Sequence, residues 1–218
     1  MPMKKMLVTR PKYDEATSYS YYYAGIVIKE AGDKCIRVID LRGRRLRRAV
    51  FEQIIGKESP SFLFFNAHGD EKTIYGDKID GDEEFLVKEG ENQGLLDCRL
   101  VYSRTCWSAA SLGKTCKGGC FIGHCVPFSF WLDEKWSTNP NNDNVARQFF
   151  EPSNLIVSSL LKGNTAEEAV DKSKNLAKKT IMRLLNEKEE PGAMASVRLL
   201  WNNMEGTEIH GNRHMKFE

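Results

Sequence analysis

Residues 61–66 read SFLFFN, an almost uninterrupted apolar run that leads into the polar stretch AHGD at 67–70. A strand that is apolar at nearly every position is typical of a parallel sheet, where helices cover both faces. Upstream, MLVT (6–9) and CIRVIDL (35–41) predict two more strands, and helical patterns at 17–31 and 47–55 separate the three. Strands that alternate with helices predict a parallel sheet with right-handed crossovers.

Two strands follow downstream, LVYSRT (100–105) and CFIGHCV (120–126). We expect an α/β sandwich with strand order 2-1-3-4-5 and helices on both faces. The polar segment 70–99 interrupts the alternation and predicts a small hairpin plus loop close to the functional edge. The last third predicts helices at 144–150, 153–162, 165–190 and 193–203, with a capping box formed by Thr165 and Glu168. Residues 207–210 suit an edge strand.

Composition places the chain among ordinary globular proteins. It has 218 residues, of which 41% are hydrophobic and 28% charged. No repeat or linker divides it, so we predict one domain over 1–218, with 191–218 as a C-terminal helix and tail. No apolar run is long enough to cross a bilayer and no secretory signal is visible, which predicts a cytoplasmic protein without membrane partners.

Charge and cysteine spacing narrow the classes of ligand. The net charge of +2 argues against a general polyanion binder, so we expect no nucleic acid partner. Six cysteines stand at 35, 98, 106, 116, 120 and 125, and in a cytosolic chain we expect free thiols. None of the gaps between them gives the paired C-x2-C spacing of structural zinc. We therefore predict no metal and no other cofactor.

The chemistry is expected where the strands end, because ligands bind outside the carboxyl ends of parallel strands. His68 and Gly69 follow the third strand, and Cys106 follows the fourth. Since these strands are predicted neighbours, an imidazole and a thiol come to lie side by side. A thiolate is the reactive form of cysteine, and a histidine beside it can take the thiol proton and later protonate a leaving amine.

Two local features would assist this pair. We predict that Cys106 opens a short helix at 107–112, whose N-terminus would lower the thiol pKa. The backbone N–H groups of Gly69 and Cys106 are predicted to form an oxyanion hole, since glycine lets a substrate approach the backbone closely.

The motifs FLFFNAHG, LVYSRTCWSA and GGCFIGHCVPFSFW, in this order, resemble the caspase-like cysteine peptidases. This group includes caspases, metacaspases, legumains, gingipains and bacterial CHAT domains, and the similarity to CHAT and gingipain-like domains is the greatest. It covers roughly residues 5–185. The resemblance implies a caspase-hemoglobinase-like αβα sandwich and a thiol protease with a Cys106–His68 dyad. It also implies a specific protein or peptide substrate and a regulatory partner protein.

The chain departs from these families before the nucleophile. Caspases carry Gln-Ala-Cys there, and metacaspases carry an acid two residues before the cysteine, where this chain has Arg104. We therefore expect cleavage after an acidic residue, with Arg104 and Arg10 gripping its carboxylate. Asp70 is a third candidate for substrate binding. Only 113–119 could serve as a linker between the fourth and fifth strands, which argues against a processed two-chain enzyme.

Other interpretations stay open. The chain could be a catalytically inactive caspase-like or flavodoxin-like regulatory domain, in which His68 caps a strand and Cys106 is a buried apolar residue. The basic run RGRRLRR (42–48) could bind a phosphate backbone, although no aromatic residues interleave it. GKT at 113–115 lacks the upstream glycine and strand of a phosphate-binding loop. His124, inside the fifth strand, is interpreted as a hydrogen-bonded core residue.

Overall fold

The computed structural model describes residues 3–79, 81–186 and 192–218. The strands are β1 (Lys5–Thr9), β2 (Arg37–Leu41), β3 (Phe62–Phe65), β4 (Thr73–Ile79), β5 (Asp82–Lys88), β6 (Leu100–Ser103), β7 (Cys120–His124) and β8 (Thr207–Gly211). The α-helices are α1 (Glu15–Asp33), α2 (Arg48–Glu58), α3 (Asn144–Leu161), α4 (Ala166–Asn186) and α5 (Ala193–Glu205).

One sheet of six strands organises the molecule, in the order β2-β1-β3-β6-β7-β8. Five strands of this sheet run parallel, namely β2, β1, β3, β6 and β7, and β8 pairs with β7 in the antiparallel direction. The predicted α/β class with a mostly parallel sheet is confirmed, as is the edge strand near 207–210. Because the parallel strands share one direction, the residues that follow β1, β3, β6 and β7 meet at a single edge.

Alternation along the strands divides the core into two layers. On one face, Val8, Phe64 and Tyr102 pack against apolar residues of α1, α3 and α4. On the other face, Leu63 and Phe65 pack against α2 and against the antiparallel hairpin formed by β4 and β5. The predicted hairpin in segment 70–99 is therefore present, and it belongs to the α2 face.

Two of the helical predictions need correction here. The two short helices expected at 144–150 and 153–162 form one helix, α3, which runs through Pro152 because buried residues on both sides of the proline form one continuous face. Helix α2 continues past Gly56 to Glu58 and ends at Ser59, whose φ is +44°. The capping box is confirmed, since Thr165 N–H donates to Glu168 and Glu168 N–H donates to Thr165. The predicted segment 187–190 and Pro191 lie outside the described residues.

Two features bear on the class of protein. All six cysteines are free thiols. Within the described ranges, no helix combines the length and the apolar character that a membrane crossing requires. The cytoplasmic location stays a prediction from the sequence.

The C-terminal tail seals the amino-terminal end of the sheet. The Phe217 side chain is 1% exposed, and its ring lies 5.3 Å from the ring of Phe62. Its carbonyl accepts a hydrogen bond of 2.8 Å from Lys4 Nζ, so the two ends of the described chain meet. The tail residue thus belongs to the core of the α1 face.

We expect Phe217→Ala to lower the free energy of unfolding by about 3 kcal/mol, because it removes a buried aromatic ring and leaves a cavity. Urea unfolding followed by tryptophan fluorescence measures the loss. Lys216→Ala, at an exposed neighbour, should change stability by less than about 0.5 kcal/mol. Equal effects of the two changes would contradict the assigned role of Phe217.

Candidate active site

The register between β3 and β6 sets the positions of the imidazole and the thiol. Phe65 pairs with Ser103, the last residues of the two strands. The ladder continues one step further, because Arg104 N–H donates to the Phe65 carbonyl at 2.9 Å. His68 and Cys106 each stand three residues beyond the Phe65–Ser103 pair, on segments that follow neighbouring strands. Among the described residues, no hydrogen bond joins the Cys106 thiol to the His68 ring.

Close backbone contact holds these two segments together. A Cβ atom added at Gly69 would lie 2.8 Å from Thr105 Cβ and 2.9 Å from the Thr73 carbonyl oxygen. Such distances are shorter than van der Waals contact, so only glycine fits between Thr105 and the start of the hairpin. The His68–Gly69 segment is thereby pressed against the residue that precedes Cys106.

Asp14 orients the imidazole, a role that the sequence analysis missed. The Nε2 atom of His68 lies 2.6 Å from Asp14 Oδ2. Asp14 is itself fixed as the N-cap of α1, because Thr17 N–H donates to its other oxygen at 2.7 Å. A usable signal was present, since Asp14 follows β1 at the same edge of the sheet and immediately precedes a helix.

Asp14 carries its negative charge at neutral pH. Burial by itself would raise the pKa of this carboxyl, but hydrogen bonds from Thr17 and the interaction with His68 outweigh burial and hold the pKa below its usual value. The side chains of His68 and Asp14 are 37% and 39% exposed, so solvent screens their attraction. The main contribution of Asp14 is therefore orientation of the ring.

The surroundings of Cys106 differ from the prediction. No helix begins there; the chain makes successive turns, Trp107 has a φ of +52°, and a short 3-10 helix starts at Leu112. The helix fails because the segment is tied to β7, with Trp107 N–H donating to Val126 and Ala109 N–H donating to His124. The expected pKa-lowering helix N-terminus is consequently absent from this described segment.

Burial dominates the ionisation of the thiol. It raises the pKa of Cys106, while the backbone N–H groups of Phe128 and of Cys106 itself oppose the shift. The resting side chain is therefore a neutral thiol at neutral pH. A nucleophilic role requires that a base removes its proton.

Two backbone donors are available beside the thiol. Across the described chain, neither the Gly69 N–H nor the Cys106 N–H donates a backbone or side-chain hydrogen bond to another residue. The bridge between Gly69 and Ile74 uses the neighbouring groups, since Asp70 N–H donates to Thr73 and Tyr75 N–H donates to His68. Neither N–H group is therefore taken by another residue, and the Cys106 N–H faces its own thiol.

Arg10 is engaged within the protein. Its guanidinium forms an ion pair with Asp40 and donates to the Tyr21 carbonyl at 3.2 Å. It also stacks over the Tyr21 ring at 4.2 Å. These contacts tie β1 to β2 and α1, and they account for Arg10 without a substrate.

Arg104 is buried but lacks an acidic partner. Its Nε donates to Ser153 at 2.7 Å and its Nη2 donates to Asn154, while the rings of Phe64 and Phe150 flank it. Among the described residues no carboxylate pairs with it, and its Nη1 atom has no hydrogen-bond partner. The internal contacts are with neutral oxygens, so the charge of Arg104 is not compensated.

Arg104 belongs to a row of polar residues that crosses the sheet beneath the dyad. Arg10, Asn66, Arg104 and His124 each stand two positions beyond the paired residues Val8, Phe64, Tyr102 and Ile122. In the described part of the chain, the buried side-chain atoms without a partner are Asn66 Oδ1, Arg104 Nη1 and His124 Nε2, all in this row. Burial and the charge of Arg104 lower the pKa of His124 to about 3, so its ring is neutral. His124 is a core residue as predicted, but it is incompletely hydrogen-bonded.

Asp70 lies at the root of the hairpin. Its carboxylate accepts from Tyr75 Oη at 2.9 Å and from Lys72 N–H at 2.8 Å. Asp70 stands two residues after His68 in the sequence, and its side chain stabilises the turn that leads into the hairpin. Its role in substrate binding stays a prediction.

Comparison with known proteins adds no relative: no protein-family model matches the chain, and no curated protein matches it.

Gly69→Ala should lower any activity of this candidate site, because the added methyl group collides with Thr105 and with the Thr73 carbonyl. We expect a loss on the order of 10²-fold in kcat/KM, as for other displacements of a catalytic group by about 1 Å. Gly56→Ala is the control, at a glycine of α2 with open space around it. Normal turnover in Gly69→Ala would contradict the close packing inferred here.

Proposed function

We propose that the chain is a cysteine endopeptidase of caspase-like fold, with Cys106 as nucleophile and His68 as general base. The observation that carries the proposal is the register of β3 and β6, because His68 and Cys106 each follow the paired residues Phe65 and Ser103 by three positions. The carboxylate of Asp14 on the far nitrogen of the ring supports it. A nucleophile, a base and a group that orients the base are the parts that acyl transfer requires.

The geometry suggests the following course of reaction. Asp14 holds the proton on Nε2 of His68, which leaves Nδ1 to accept the proton of the Cys106 thiol. The sulfur attacks the carbonyl carbon of the scissile bond, and the Gly69 and Cys106 N–H groups receive the oxyanion. His68 then protonates the leaving amine, and water hydrolyses the thioester with His68 again as base.

Burial of the thiol makes the base necessary. Because the pKa of Cys106 is raised, the thiolate is not preformed, and proton transfer to His68 accompanies the attack on the substrate. The positive charge that then develops on His68 faces the ionised Asp14. We infer that attack depends on Asp14 as well as on the dyad.

The finer part of the proposal concerns the substrate. We propose cleavage after Asp or Glu, with Arg104 Nη1 as the donor that receives the carboxylate. Its support is the unpartnered Nη1 and the lack of an acidic partner in the described chain. Specificity of this kind is strong because a substrate without the carboxylate leaves a buried charge unpaired.

The alternative is a caspase-like regulatory or binding domain without catalysis. The raised pKa of Cys106 favours it, since a buried neutral thiol also behaves as a small apolar side chain. The free N–H groups of Gly69 and Cys106 favour the enzyme, because a binding domain gives no reason for two open donors beside a thiol.

We expect the wild-type protein to cleave members of a peptide library, and Cys106→Ala and His68→Ala each to lower cleavage by at least about 10³-fold, because the dyad acts as one unit. Mass spectrometry of the products identifies both the cleavage and the residue before the bond. Cys125→Ala, at another partly exposed thiol, is the matched control. Near-normal cleavage by Cys106→Ala would end the proposal, and products ending in Arg or Lys would remove its acidic specificity.

Asp14→Asn should lower kcat by on the order of 10²-fold or more with little change in KM, because an amide facing Nε2 selects the wrong tautomer of His68. Asparagine is also a good N-cap, so α1 should be retained. Glu15→Gln removes the same charge one residue away, at an exposed side chain, and should leave kcat within about twofold. Equal losses in both variants would show that Asp14 acts only through its charge.

A further inference from the structure

We propose that the loop at 42–48, hereafter the basic loop, binds an acidic segment of the protein substrate at a distance from the scissile bond. The inference rests on the proposed peptidase function and adds a substrate class to it. The residues of this loop are not used by the catalytic mechanism.

The basic loop has a fixed shape. Leu46, in its middle, is fully buried in the core of the α2 face. Its carbonyl accepts from Asp77 N–H at 3.3 Å, and a Cβ atom added at Gly76 would lie only 2.7 Å from that carbonyl oxygen. The loop is therefore clamped to strand β4 of the hairpin, and the residues around Leu46 face outward.

Three arginines of the loop carry charges without partners. Arg44, Arg45 and Arg47 are exposed. Over the described residues, none of them forms an ion pair or a side-chain hydrogen bond, whereas Arg48 pairs with Glu52 at 2.8 Å and with Glu91 at 3.1 Å. The protein thus compensates one end of the run and leaves the other three guanidinium groups open to a ligand.

A second group of cations lies beside the loop, of which Lys12 and Arg42 are exposed and Arg10 is buried. Arg10 and Lys12 lie over the ring of Tyr21 at 4.2 Å and 5.5 Å, and Arg42 donates to the Tyr21 hydroxyl at 2.8 Å. Asp40 is the acid that faces both Arg10 and Arg42. Asp40 compensates the buried Arg10 and the Asp77 carboxylate accepts from the Gly43 backbone, so the exposed Lys12 and Arg42 supply the positive charge beside the loop.

The position of the basic loop matches a substrate that passes over the dyad. The loop follows β2, and β2 is two strands from β3 and three from β6. With neighbouring strands about 4.8 Å apart, the loop begins about 10 to 15 Å from His68 and Cys106. An extended peptide advances about 3.3 Å per residue, so its acidic residues would lie three to five positions from the scissile bond.

An acidic peptide fits this surface better than a nucleic acid. Two aromatic rings lie among these cations, and both are already covered, Tyr21 by Arg10 and Tyr22 by Lys12, so neither is open for base stacking. The surface also adjoins a site built for peptide bonds, and a chain with a net charge of +2 has no wider basic field. We therefore commit to an acidic protein segment as the ligand.

Binding can be tested without catalysis. Two fluorescent peptides share one cleavage sequence and differ only four residues from the bond, where one carries four glutamates and the other four glutamines. Fluorescence anisotropy with the Cys106→Ala protein should show about tenfold tighter binding of the glutamate peptide at low salt, with the difference shrinking as salt screens the charges. The triple variant Arg44→Glu, Arg45→Glu and Arg47→Glu, in the same background, should lose this preference.

A matched control separates the surface from overall charge. Lys178→Glu, Lys179→Glu and Arg198→Glu change the net charge equally at exposed positions of α4 and α5, and should keep the preference. Equal binding of the two peptides, or equal effects of both triple variants, would overturn the inference. Tighter binding of a single-stranded DNA of equal charge, lost in the first triple variant, would also overturn it.

Turnover distinguishes this inference from the proposed function. Wild-type protein that cleaves both peptides with the same kcat/KM would retain the peptidase and remove the acidic docking segment. We expect about tenfold higher kcat/KM for the glutamate peptide, mainly through KM. If the wild-type protein cleaves neither peptide nor any member of the library, the proposed function fails and the inference falls with it.

Discussion

The pairing of β3 with β6 is the constraint on which the candidate site depends. Its register places Phe65 opposite Ser103, and His68 and Cys106 each follow this pair by three positions. The segments that carry His68 and Cys106 follow neighbouring strands of one sheet. Gly69 maintains this arrangement by letting the two segments touch. A slip of one residue would separate base and nucleophile and turn both side chains over.

The charged and polar side chains around the dyad form two layers. In the upper layer, Asp14 stays ionised and faces His68, while Cys106 is held neutral by burial. In the layer beneath, Arg104 and His124 share a buried row in which hydrogen bonding is incomplete. Natural cores satisfy nearly all buried polar atoms, and exceptions concentrate where a protein does chemistry. Among the described residues, two of the exceptions, Asn66 and Arg104, stand two positions before His68 and Cys106.

Local patterns in the sequence predicted most of the sheet but not all of the site. Runs such as 61–66 and 100–105 are rich in apolar residues, so buried strands could be predicted there. The alternation of strands with helices predicted that these strands run parallel. The turn at Trp107 could not be predicted, because the segment has ordinary helix-forming residues. Its N–H groups donate to carbonyls of β7 and the residues after it, and these bonds replace those of a helix. Pro152 led to a prediction of two short helices, but tertiary packing keeps α3 continuous through the proline. Asp14 was missed because its partner is 54 residues away, and no local pattern encodes that distance.

The contacts of Phe217 with Phe62 and Lys4 bear on the order in which parts of the chain fold. The strands that precede His68 and Cys106 pair across a segment of 38 positions, part of which is folded into the local hairpin of β4 and β5. The bond from Lys4 to Phe217 spans 213 positions. Contacts that close long loops form late, because their entropic cost precedes their gain. During synthesis on the ribosome, the dyad strands can therefore pair long before the tail closes the apolar face, and the nascent chain must keep Phe62 and its neighbours shielded until residue 217 emerges.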